Sequence, residues 1–127
     1  MATKKVKNIT DQIKTYEDSC VYNKTQPLNE EELTRLGFTR KEIVGRMLES
    51  ITKALNEGKE IDIHNREPRY YPYFRTNGSA AAFAFRYSYY GSTDASAASG
   101  SRFAYHESDI SDYSGIQFLD LWREYIS

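Results

Sequence analysis

Two aromatic runs, residues 70–76 and 80–90, stand on either side of Asn77-Gly78. Asn-Gly readily takes the two positive φ values of a type I′ turn, so the pattern predicts a tight antiparallel hairpin. A two-residue turn would also set the register: Arg75 would face Ala80, Phe74 would face Ala81, and so on outward. Directly opposed residues share a sheet face. One predicted face therefore carries Tyr70, Pro72, Phe74, Phe83, Phe85, Tyr87 and Tyr89, apolar enough to be the core side. The other carries Tyr71, Tyr73, Arg75, Arg86 and Tyr90 around small alanines, Ala80, Ala82 and Ala84. A third short run, residues 102–106, would add Phe103 and Tyr105 to the first face and Arg102, Ala104 and His106 to the second. Pro72 cannot donate to a ladder, which predicts an edge position for the first strand.

Upstream the chain reads helical. Thr39 and Glu42 have capping-box spacing, Phe38 and Ile43 sit where a hydrophobic staple closes, and Ile43, Val44, Met47, Leu48, Ile51, Ala54 and Leu55 form one apolar stripe. Gly58 supplies the stop, so a helix is expected over 40–57. Asn29 and Glu32 repeat the capping spacing for a shorter helix ended by Gly37. Thr10 is a candidate cap for a first helix carrying Ile13, Tyr16 and Cys20. Downstream, a Ser/Ala/Gly-rich stretch over 91–100 reads as a connecting loop. Ser108 is the expected cap of a final helix with Ile110, Tyr113, Gln117, Phe118, Leu121 and Tyr125 on one face and Gly115 as a weak point. These elements predict a single α+β domain over 1–127, mostly helical over 1–60. Over 61–127 they predict a small antiparallel sheet of about three strands and a C-terminal helix. The helical half and that helix should pack on one face of the sheet.

Composition narrows the function. Lys+Arg number 17 against 18 Asp+Glu, a net charge of −1, which disfavours a chain that coats duplex DNA by bulk charge. No apolar run approaches bilayer-spanning length. Cys20 is the only cysteine, so no internal disulfide can form, and its place on a helical stripe predicts a buried thiol. The basic start lacks an apolar region behind it, so the expected location is the cytoplasm. His64 and His106 have no metal-ligand spacing, and no nucleotide or hydrolase fingerprint occurs, so neither a metal, a cofactor nor an enzyme is expected.

The segments 13–18, 54–58, 70–74, 100–103 and 113–121 together resemble a group of small uncharacterised proteins of gut Bacteroides and their crAss-like phages. Tyr73 stands where that group often has Trp. The resemblance implies a phage or prophage accessory protein and supplies no catalytic residues.

The constellation with chemical meaning is the second sheet face. Tyrosine rings beside guanidinium groups can stack on bases and meet phosphates. The expected site is Tyr71, Tyr73, Arg75, Arg86, Tyr90, Arg102 and His106, binding a single-stranded nucleic acid or a nucleotide, including a host defence signal. The same residue types are enriched at protein interfaces. The alternative is therefore a protein partner of host or phage, with the chain as a virion component or an inhibitor of a host protein, or else a homo-oligomer.

Overall fold

The computed structural model describes residues 8–59, 68–75, 84–92 and 103–126; for Pro68, Arg75 and 86–92 it describes the backbone. In these residues the order is α1 (Ile9–Gln12), α2 (Tyr16–Asn23), α3 (Glu30–Arg35), α4 (Arg40–Leu55), β1 (Pro68–Arg75), β2 (Ala84–Ser92), α5 (Ser108–Gln117) and α6 (Leu119–Ile126). The α+β class is as expected, with helices packed on one face of an antiparallel sheet. None of the described helices is long and apolar enough to cross a membrane.

Helix α4 is the spine. Thr39 Oγ1 accepts the Glu42 N–H at 3.1 Å, closing the predicted cap, and every residue of the predicted stripe is buried. Its end differs in detail from the expectation. The N–H of Glu57 bonds Ala54 O and that of Gly58 bonds Lys53 O, the paired closure of a Schellman turn. Glu57, at φ 57°, takes the left-handed position that glycine normally fills, and Gly58 follows at φ 79°. Helix α3 starts at Asn29 as predicted, with its Oδ1 accepting from the Glu32 N–H. The N-terminal cap is a correction: Thr15, not Thr10, caps the longer helix. Its Oγ1 accepts the Asp18 N–H while the Asp18 carboxylate accepts the Thr15 N–H.

The predicted final helix is two. Phe118 leaves helical geometry between α5 and α6, though its N–H still bonds Ser114 O and its carbonyl accepts the Trp122 N–H. Gly115 lies inside α5 and does not break it. Glu107, without a side-chain cap bond, occupies the cap position expected of Ser108. The buried positions Ser111, Ser114, Gly115, Phe118 and Trp122 keep one helical phase through the break, and Trp122 lies outside the predicted stripe.

The hairpin register is the larger correction. Phe74 faces Phe85 and Tyr73 faces Tyr87, with Arg86 left over as a bulge; further out Tyr71 faces Tyr89 and Tyr70 faces Tyr90. Asn77-Gly78 lies outside the described residues, as do Phe83 and Ala80, but this register is not the one a two-residue turn would give. Tertiary packing explains it. Phe85 meets Phe74 edge-on, with ring centroids 6.1 Å apart, and presses on Gly115 of α5. Burying Phe85 against a helix favours this register, because one residue of slip would turn the ring away from α5. From Phe74 a ring sequence continues to Trp122, then Phe103, then Tyr125, at centroid distances of 5.6, 5.7 and 5.2 Å. The face carrying Tyr70, Phe74 and Phe85 is thus the core side, as expected.

The expected third strand is a single bridge among the described residues. Tyr70 and Tyr105 exchange two backbone hydrogen bonds, each 2.9 Å. Alternate residues of a strand present their N–H to the same edge. Pro68 and Pro72, two residues either side of Tyr70, therefore stand where the next donors of this ladder would be, and proline has none. The pairing stops after one residue for that reason.

Buried polar groups lock this joint. The Tyr105 hydroxyl donates to Ser114 Oγ at 2.7 Å and meets Thr52 Oγ1 at 3.1 Å, while Trp122 Nε1 donates to the same Ser114 Oγ at 3.2 Å. Asn56, capping α4, donates to Ala104 O and accepts the His106 N–H, so one amide holds both sides of Tyr105.

Candidate functional site

Because β1 alternates, Arg69, Tyr71, Tyr73 and Arg75 share the face turned away from α5 and α6. Exposure grades along it: Arg69 is 2% exposed, Tyr71 is half-buried and Tyr73 is 49% exposed. The Arg69 guanidinium lies 5.8 Å from the Tyr71 ring centroid, within cation–π range. Burial raises the Tyr71 hydroxyl above its ordinary pKa, and the Arg69 charge partly opposes this. Tyr71 is therefore a neutral ring and hydrogen-bond donor at physiological pH.

The register completes the face with residues that the sequence reading put elsewhere. Tyr89 stands opposite Tyr71 and Tyr87 opposite Tyr73, so four tyrosines share one side. The bulge at Arg86 is the cause: it inserts one residue and inverts the alternation beyond it. The same inversion moves Tyr90 opposite Tyr70, onto the core side, and takes Arg86 out of the paired positions. Arg75 keeps its place, opposite Ala84, which is exposed. Arg102 lies outside the described residues. His106 does not join the face. Its Nε2 is 3.3 Å from Lys59 O, in a small cleft with Asn56 and Glu107 at the C-terminal end of α4. Ala104, expected to extend the floor, is buried. Of the seven predicted residues, Tyr71, Tyr73 and Arg75 are brought together; Arg69, Tyr87 and Tyr89 were missed. Arg69 was legible from the alternation alone, two residues before Tyr71, whereas the tyrosines of β2 depended on a bulge that no local pattern announces.

A second concavity, a cleft of about 560 Å³, opens between the first turns of α4 and the Phe103–Tyr125 ring pair. Among the described residues, Lys41 and Arg46 share its wall with Glu42 and Glu49, so the charges there balance. Arg46 already stacks on Phe38, 5.4 Å from the ring centroid. Among the described residues, no group of three His, Cys, Asp or Glu could hold a metal ion. Cys20 is buried, as expected.

No family model, curated protein or solved structure matches the chain. The tyrosine face has to be read by its own chemistry.

Proposed function

We propose that the protein is a non-enzymatic binding protein that holds a single-stranded nucleic acid or a nucleotide on the tyrosine face of its hairpin. The observation that supports this is the shared face of Tyr71, Tyr73, Tyr87 and Tyr89, with Arg75 at its end and a buried arginine beneath Tyr71. Every base has a π-face, so a row of rings binds bases with little regard to sequence, and arginine adds phosphate contacts. The near-balanced charge of the chain favours a short strand or a compact nucleotide over long duplex DNA. The resemblance to small phage-associated proteins suits this role: such a protein would sequester a host defence nucleotide or shield a phage strand in the bacterial cytoplasm.

The test is a titration of labelled oligonucleotides and of cyclic and linear nucleotides at two salt concentrations. Tyr73→Ala should lose about 1–3 kcal/mol of binding, the scale of one base–aromatic stack. Arg75→Glu should weaken binding further, and added salt should weaken it more steeply for a polymer than for a nucleotide. Absence of binding by the unaltered protein, or binding indifferent to both substitutions, would remove this reading. If the two substitutions instead released a protein, the face would be a protein interface.

A further inference from the structure

The tyrosine face is bounded at both ends along β1. At one end Arg69 is buried and its guanidinium lies over the Tyr71 ring, so that side of the ring is already occupied. At the other end the register shifts between Tyr73 and Phe74, and the bulge bends and twists the hairpin just past Tyr73. Exposure rises between these limits, from buried Arg69 through half-buried Tyr71 to exposed Tyr73. Strand β1 therefore offers one regular interval between two accessible rings, from Tyr71 to Tyr73.

Strand geometry sets the size of that interval. Residues two apart on a strand stand about 6.8 Å from each other. Successive stacked bases lie about 3.4 Å apart, so one base with a ring on either side fills the interval and a second does not fit. Pro72 lies between the two tyrosines. Its ring fixes its own φ and holds Tyr71 in extended geometry, so the spacing is set before a ligand arrives. Arg75 is the next residue on that side beyond Tyr73, which puts a cation at the open end.

We propose that the site takes one compact nucleotide, its base between Tyr71 and Tyr73 and its phosphate toward Arg75, and not a run of bases along the hairpin. This rests on the reading of the face as a nucleic-acid or nucleotide site and narrows it to a single unit. A strand stacking successive bases would need its second base on the far side of Tyr71, where Arg69 stands, or beyond the bulge. An oligonucleotide therefore engages through one base only.

Affinity as a function of ligand length tests this on the full chain. The probes are nucleoside monophosphates of each base and matching oligonucleotides of up to about ten units, a length that spans several stacks on an open platform. Counted per nucleotide, affinity should stay level to within about threefold along the series. A second stacked base would raise it about tenfold or more. That result would overturn the proposal and leave the face a nucleic-acid site. Tyr71→Ala and Tyr73→Ala should each weaken monophosphate binding by about tenfold, whereas Tyr71→Phe, which keeps the ring, should bind nearly as the unaltered protein does. A folded Tyr71→Ala variant that binds normally while Tyr73→Ala does not would also overturn the slot and spare the broader reading. Should Tyr71→Ala not fold, the length series on the unaltered protein decides. If no probe binds, the broader reading falls and this inference with it.

Discussion

The Cβ that Gly115 lacks would stand 2.2 Å from Cδ1 of Phe85. Atoms cannot approach that closely, and the neighbour is an aromatic ring packed on Phe74. Gly115 is therefore the notch in α5 into which the hairpin fits.

Gly115→Ala should destabilise the protein even though alanine is the better helix former, by about 1 kcal/mol. Overpacking at a close contact costs about 1–3 kcal/mol, so the net effect is loss of stability. Chemical denaturation of Gly115→Ala, Phe85→Leu and the double variant measures the coupling. A smaller residue at 85 should recover part of the loss. Additive effects would mean that the ring does not occupy the notch.

Asn56→Asp should loosen the segment around Tyr105. The substitution keeps the acceptor for the His106 N–H and replaces the donor to Ala104 O with an oxygen, leaving a buried carbonyl unpaired. The expected cost is about 1–3 kcal/mol. Hydrogen exchange should speed up at Tyr105 and Tyr70 before it does within α4. Uniform acceleration across the chain would contradict a local clamp.

Glu57→Gly should stabilise. Glu57 is exposed and sits at positive φ, a conformation that costs a side-chain-bearing residue about 1–2 kcal/mol. Relief of that strain exceeds the extra backbone entropy that glycine loses on folding. The thermal midpoint should rise; an unchanged or lower midpoint would place the αL residue elsewhere.

Alkaline pH should unfold the protein through its buried tyrosines. Burial pushes the Tyr105 hydroxyl from its ordinary 10.0 up to about 12, with the Ser114 and Thr52 hydrogen bonds acting in the opposite direction. Tyr16 is raised to about 12 as well, again mainly by burial. In the folded state both hold their protons where the unfolded chain has released them. The contribution is intact below pH 10.0 and is lost as pH rises through about 12. Denaturant midpoints should fall across that window. Tyr105→Phe should flatten the decline, while lowering stability at neutral pH by about 1–3 kcal/mol because Ser114 and Thr52 lose a buried partner.

The parts of the fold legible in the sequence are those that local chemistry decides. Thr39, Glu42 and the stripe from Ile43 to Leu55 specify α4 to within two residues, and Asn29 marks the start of α3. Phe103 and Tyr105 were placed on the core side by alternation alone. The strand register was not legible because its determinant is distant: Phe85 selects its position by fitting against Gly115 of α5. Trp122 was not legible because the face buried along α5 and α6 runs through the small residues Ser111, Ser114 and Gly115, which carry no apolar signal, whereas the larger Ile110, Tyr113 and Leu121 beside it are only half-buried. At the candidate site, Tyr71 and Tyr73 needed only strand periodicity. Their partners Tyr87 and Tyr89 required knowledge of the bulge at Arg86.

Trp122 is the only tryptophan in the chain, and it stands at the seam where the hairpin meets the helices. Its ring touches Phe74 from β1 and Phe103 from the bridge segment, and its indole N–H is tied to Ser114. The molecule thereby carries its own fluorophore at a junction whose opening separates sheet from helices. Emission should stay blue while the hairpin is docked and shift red when it lifts away, even if α4 remains wound. Comparing the emission shift with far-ultraviolet circular dichroism in a single unfolding series would then tell undocking of the hairpin apart from melting of the helical half, with no label attached.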